Sequence, residues 1–144
     1  MNNNDNITSV LDELQIIYEM NQTTLNDAPI DTYLISLVVG NVIVRGGILD
    51  GREKESSSHI DILFFFSNDI LKKCISENEL YKRVNDLNLM CKYGNFYADD
   101  DGDIVYSLVI PAIGDELVEK EVFKYYFSST LSVVKDAVAD MKNE

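Results

Sequence analysis

The chain has 144 residues, of which 46% are hydrophobic and 26% charged, with 25 acidic side chains against 12 basic ones. That length suits one domain with a real core. The formal charge of -13 opposes binding to nucleic acid or anionic lipid, which requires clustered Lys and Arg. The start, MNNNDNITSV, has neither the basic nor the apolar region of a secretory signal, and the apolar run ILFFF at 62–66 is far too short to span a membrane. A cytoplasmic protein is expected, with Cys74 and Cys91 as free thiols rather than a CxxC pair.

In chain order, residues 1–6 are polar and are expected to fray. A single α+β domain is expected over 7–142. Ile7, Val10, Leu11, Leu14, Ile17 and Tyr18 recur at helical steps, with Asn6 or Thr8 as the cap. NQTTLNDAP at 21–29 then reads as a connection, because Pro29 and the polar run break the pattern. TYLISLVV at 32–39 and VIVRGGIL at 42–49 flank Gly40-Asn41, a hairpin signal. The pair Gly46-Gly47 points to a bulge or a close backbone approach.

HIDILFFFS at 59–67 forms the third strand. Its all-apolar second half suits a central strand covered on both sides. Ser76 and Glu79 form a capping box at the head of a helix whose stripe is Leu80, Val84, Leu87 and Cys91. KYGNFYA at 92–98 and DIVYSLVIP at 103–111 are two further strands, the second ended by Pro111. The last helix, 119–142, turns Phe123, Phe127, Leu131, Val134, Val138 and Met141 inward. The order α-β-β-β-α-β-β-α, with short hairpins, implies an antiparallel sheet with helices beside it.

Several features invite chemistry. YADDDGDIVY at 97–106 places acidic residues around Gly102 as a calcium loop does. With Gly102 as the sixth position, however, Tyr97 and Leu108 occupy positions that must supply ligands. Asp101-Gly102 between alternating strands reads instead as a hairpin turn. A weak cation site in the acidic loop is the functional alternative, and would make the protein a cation or small-ligand sensor.

His59 is the sole histidine, and in an extended strand it shares a face with Asp61. The two could serve as a base and its orienter in a hydrolase, but no nucleophile or oxyanion loop accompanies them. Phosphate-binding glycine motifs are absent, and one histidine with two separated cysteines is too few for zinc, so no metal, cofactor or catalytic set is expected. Val122, Tyr126, Val133 and Ala137 form a second apolar row on the last helix. It is either sunk in the core or offered to a partner.

The segments LYKRVNDLNLMCKYGNFYADDDGDIVYSLVIP and FKYYFSSTLSVVKDAV resemble the YbjN-like family of bacterial proteins, described as sensory transduction regulators. The resemblance covers roughly residues 75–140. It rests on Asn85 and Asn88 as N-x-x-N, on Gly94-Asn95-Phe96 at the start of a strand, on the Asp101-Gly102 hairpin and on the final amphipathic helix. Leu117-Val118-Glu119 lacks the threonine that the family often places before that helix.

The resemblance implies a type III secretion chaperone-like fold and a non-enzymatic, cytoplasmic, homodimeric chaperone- or adaptor-like regulator that binds another polypeptide. The candidate partner or dimer surface is drawn from Tyr81, Asn85 and Asn88 of the middle helix and from Val122 and Tyr126 of the second apolar row. For the two asparagines the alternative role is to hold the neighbouring strand backbone, which is the preferred one.

Overall fold

Three helices and six strands make up the described part of the computed structural model, residues 3–25, 28–52, 58–66, 76–112 and 117–142. In order they are α1 (Asn4–Glu13), β1 (Ile17–Leu25), β2 (Ala28–Val39), β3 (Val42–Arg52), β4 (Ser58–Phe66), α2 (Glu77–Met90), β5 (Asn95–Ala98), β6 (Ile104–Pro111) and α3 (Lys120–Lys142). The strands form one antiparallel sheet in the order β1-β2-β3-β4-β6-β5. The fold class is α+β as expected, but the described chain has one strand more than the expected order.

The extra strand corrects the reading of residues 14–29. The helix stops at Glu13, Gln15 takes a positive φ of 57°, and Ile17 and Tyr18 belong to β1. Polar NQTT, expected as a connection, pairs with β2 from Asn21↔Thr32 to Thr24↔Pro29. An edge strand can be polar on its open side, and ladder pairing then overrides a weak alternation. Pro29 fits because it lies at the start of β2, before the ladder with β3 begins at Asp31↔Asp50, so that side asks for no N–H from it.

The expected fraying of residues 1–6 is likewise corrected from Asn3 onward. Asn3 donates its backbone N–H and side-chain amide to the two carboxylate oxygens of Asp50, at 2.6 and 2.8 Å. Its amide oxygen accepts the Val118 N–H at 2.7 Å. Asn6 adds a bond to the Val118 carbonyl at 2.9 Å. Asn6 and Thr8 therefore lie inside α1 and do not cap it, while Asn3 ties the helix to β3 and to the approach to α3.

One sheet face carries the core. Tyr33, Ile35 and Leu37 of β2 face inward, with Val44 and Ile48 of β3, Ile60, Ile62, Phe64 and Phe66 of β4, and Tyr106, Leu108 and Ile110 of β6. Against them pack Ile7, Val10 and Leu11 of α1, Leu87 of α2, and Phe123, Phe127, Val134 and Val138 of α3. Gly46 is inside because nothing larger fits: a Cβ there would lie 2.5 Å from the Phe64 ring and 2.6 Å from the Leu63 carbonyl. The close approach expected of Gly46 is thus the space for Phe64.

Both hairpin expectations find a turn. Gly40 has φ 62° in a two-residue connection closed by Val39↔Val42. In the acidic loop Gly102 has φ 82°, at the end of a turn whose Gly102 N–H donates to the Asp99 carbonyl at 3.1 Å. The Ser76–Glu79 capping box is present, both bonds measuring 3.3 Å. Cys74, Ser56 and Ser57 lie outside the described residues.

Candidate functional site

The outer face of the sheet follows from the same alternation. Residues between the inward-facing ones are Leu34 and Val38 on β2, Ile43 and Arg45 on β3, Asp61 and Phe65 on β4, and Val109 on β6. Five apolar members are open, Val38 at 60% exposed, Ile43 56%, Val109 53%, Leu34 47% and Phe65 45%, whereas Ile30 of β2 and Val105 of β6, on the same face, are buried at 7% and 1%. The expectation that β4 is covered on both sides is therefore corrected at Phe65. β4 is central, but the described helices contribute their buried residues to the core cluster on the opposite face.

His59 and Asp61 lie on this outer face, with Nε2 of the imidazole 3.4 Å from Oδ2 of the carboxylate. Gly51, opposite in register, makes room for the ring: a Cβ there would sit 3.1 Å from Nε2. Among the described residues no hydroxyl or thiol is hydrogen-bonded to the pair. The acidic loop has its own internal partner. One carboxylate oxygen of Asp99 accepts the N–H groups of Asp101 and Asp103, at 3.0 and 2.9 Å. Asp99 thus organises the turn as a local side-chain cap. Among the described residues no cluster of three or more His, Cys, Asp or Glu has metal-binding geometry.

A second surface is concave. Cys91 to Gly94 link α2 to β5, and Gly94 takes φ 73° where a Cβ would meet the Ser107 carbonyl at 2.5 Å. Glycine lets this link fold flat onto β6. The buried Tyr106 hydroxyl then donates to the Tyr93 carbonyl at 2.8 Å. Burial raises the Tyr106 phenol above the ordinary tyrosine range.

Tyr93, so held, reaches α3. Its ring meets Tyr126 at 5.0 Å and Tyr125 at 5.9 Å, both edge to face, and its hydroxyl lies 3.0 Å from that of Tyr125. The hydrogen bond to Tyr93 raises the Tyr125 phenol. Between these rings and the α3 face bearing Ser128, Ser129 and Ser132 opens a cleft of about 620 Å³. Met90 and Val133 add apolar lining, and Lys92, Lys124 and Glu121 its charges.

The five residues named for a contact surface do not converge. Tyr81 is exposed and donates to Glu77 at 2.8 Å, and Asn85 is exposed on the same helix. Asn88 holds strand backbone: its amide oxygen accepts the Phe96 N–H at 2.6 Å and its amide donates to the Phe96 carbonyl at 3.0 Å. Val122 is 39% exposed, while Tyr126 packs into the tyrosine cluster. The second apolar row of α3 is therefore divided, with Ala137 fully buried at its far end.

Sequence reasoning missed Lys92, Tyr93, Tyr125 and the α3 serines. The spacing of Tyr125, Ser128, Ser129 and Ser132 puts them on one helix face, but only the placement of the Cys91–Gly94 link makes that face one wall of a cleft. No protein-family model matches the chain, and a search of curated proteins finds no match.

Proposed function

We propose that this protein is a non-enzymatic interaction module of the chaperone or adaptor type. Its outer sheet face binds another polypeptide, in the first instance a second copy of the chain. The observation that carries this reading is the set of apolar side chains left open on the outer face, Leu34, Val38, Ile43, Phe65 and Val109. Isolated apolar residues on a surface are ordinary, whereas five exposed ones on four strands of one sheet face, with Val38 paired to Ile43, favour an interface.

The size of the face approaches that of such a contact. Six strands spaced about 4.8 Å apart, with about eight residues each at roughly 3.3 Å rise, give the whole face roughly 700 Å², an upper bound because Ile30, Thr32 and Val105 on it are already buried. A standard interface takes about 800 Å² from each partner. Charge favours a second copy. The described charged residues on this face are Glu19, Arg45 and Asp61, so it is nearly neutral on a chain of formal charge -13. Two such chains repel least when they meet here.

The resemblance to the YbjN-like family and to the type III secretion chaperones supports the same reading, through Asn88 and the Asp101-Gly102 hairpin. The extra strand β1 is a departure from that order. The alternative of a hydrolase built on His59 and Asp61 has only the 3.4 Å contact in its favour.

The test is sedimentation equilibrium of the wild type and of Phe65→Asp, paired with photo-crosslinking from position 65 in cells. The reading expects a dimer that F65D converts to a monomer with unchanged circular dichroism, and a crosslink to a second copy. A crosslink to one other discrete protein would keep the module and replace its occupant. A strict monomer at about 100 μM, well above the micromolar range of weak specific contacts, together with no crosslinked product, would sink it.

A further inference from the structure

The cleft beside Tyr93 has properties that the interaction reading does not use. Its volume of about 620 Å³ lies inside the range of small-molecule sites, about 300–1,000 Å³. Tyr93, Tyr106 and Tyr125 supply aromatic walls, and Ser128 and Ser132 add hydroxyls that bond to no other described residue. Thr130, on the buried side of α3, instead spends its hydroxyl on the Tyr126 carbonyl at 2.9 Å.

The charge of the cleft runs against that of the chain. Lys92 and Lys124 line it with Glu121 as the one carboxylate. Lys124 bonds Glu13 at 3.1 Å, but Glu13 is shared with Lys120, so one carboxylate serves two ammonium groups. Lys92 has no carboxylate within 4 Å among the described residues, and its Nζ lies 5.4 Å from the centre of the Tyr93 ring. The group of Lys92, Lys120, Lys124, Glu13 and Glu121 is thus left with one positive charge on a chain of formal charge -13.

We propose that this cleft binds a small, flat aromatic molecule bearing a single anionic group, a carboxylate or a phosphate ester. The tyrosine rings receive the aromatic body edge to face. Lys92 and the α3 hydroxyls receive the anion. The acidic remainder of the surface repels polyanions at long range, which selects for a ligand of low charge.

Fluorescence titration with anilinonaphthalene sulfonate, a flat aromatic monoanion, tests this directly. The probe should saturate at one site per chain. Lys92→Glu replaces an attraction by a repulsion at an exposed position, and should weaken binding about ten- to hundredfold. Ser132→Trp, also at an exposed position, fills the cleft and should abolish binding. Phe65→Asp, on the opposite sheet face, should leave it unchanged. Benzoate and phenyl phosphate should displace the probe, the tighter of them identifying the anionic group, while benzylamine should not.

The proposal is overturned if the probe fails to bind, or if K92E and S132W leave its affinity unmoved. It is also overturned if F65D abolishes binding, or if benzylamine competes as well as phenyl phosphate. Because F65D reports on the outer face alone, failure of the cleft and failure of the interaction reading give different patterns.

Discussion

Replacing Asn88 by alanine isolates one fastening of the fold. β5 is an edge strand of four residues, and on its open side the Phe96 N–H and carbonyl meet the Asn88 side chain in place of a further strand. Two partly buried hydrogen bonds at 2.6 and 3.0 Å are lost in Asn88→Ala. Each contributes about 1 kcal/mol net, and the stranded Phe96 groups add a desolvation cost that entering water partly relieves, for a total of about 2–3 kcal/mol. A chain of 144 residues unfolding with about 2.1 cal/mol/K per residue has an entropy change of roughly 0.3 kcal/mol/K, so Tm should fall by about 7–10 °C. Asn88→Asp retains an acceptor for the Phe96 N–H but sets a carboxylate against the Phe96 carbonyl, so it should not restore the wild-type value. Asn85→Ala, at an exposed position on the same helix, should stay within about 0.5 kcal/mol. Thermal unfolding followed by circular dichroism measures all three, and amide exchange at Phe96 should quicken in N88A. Equal shifts for N88A and N85A, or a fall of less than about 2 °C for N88A, would refute the strand-mimic role.

The acidic loop and the α1–α3 contact give two more tests. Asp99→Ala removes the acceptor for the Asp101 and Asp103 N–H groups and should cost about 1–2 kcal/mol in urea unfolding, whereas Asp99→Asn keeps an oxygen there and should cost less. If the asparagine variant is as damaged as the alanine variant, the loop depends on charge and not on the side-chain turn. Glu13 is held below the ordinary carboxylate range by hydrogen bonds to Lys120 and Lys124. A carboxyl depressed in the folded state stabilises fully above its unfolded pKa and loses that contribution as pH falls through the folded value. Glu13→Gln should therefore be less stable than wild type near neutral pH, and the gap should close on acidification below the ordinary carboxylate value. The gap should also narrow in about 0.5 M salt, because the group is exposed and screened. A gap that widens on acidification would contradict the assignment.

The helices and the central strands were legible because burial imposes a period on the sequence. Leu80, Val84, Leu87 and Cys91 read as one stripe, and all four lie in or against the core. Phe123, Phe127, Val134, Val138 and Met141 read in the same way. β1 was not legible, since an edge strand has only one side to satisfy, and IYEMNQTTL carries too few apolar residues to alternate visibly. The ordering of the N-terminus was also hidden. It depends on Asp50, 47 positions away from Asn3, and on Val118, 115 positions away. No local pattern records bonds of that span.

The same distinction explains what the sequence could say about each surface. The run LFFF does not alternate, so its outward residue Phe65 was read as covered, because composition does not state which neighbours arrive. The tyrosine cleft is the harder case, since every residue in it has an ordinary local reading. Tyr125 and Ser132 look like the solvent side of a helix, and Lys92 and Tyr93 like a polar turn. What assembles them is Gly94, which has a φ of 73° and where a Cβ would lie 2.5 Å from the Ser107 carbonyl, so no side chain is admitted. The glycine lays the link across β6, the Tyr106 hydroxyl fastens it, and Tyr93 is thereby carried to α3. YADDDGDIVY follows the same logic on a smaller scale. Its acidic residues suggest a cation, but Asp99 is occupied by two backbone N–H groups of its own turn, so its negative charge already has partners within the loop.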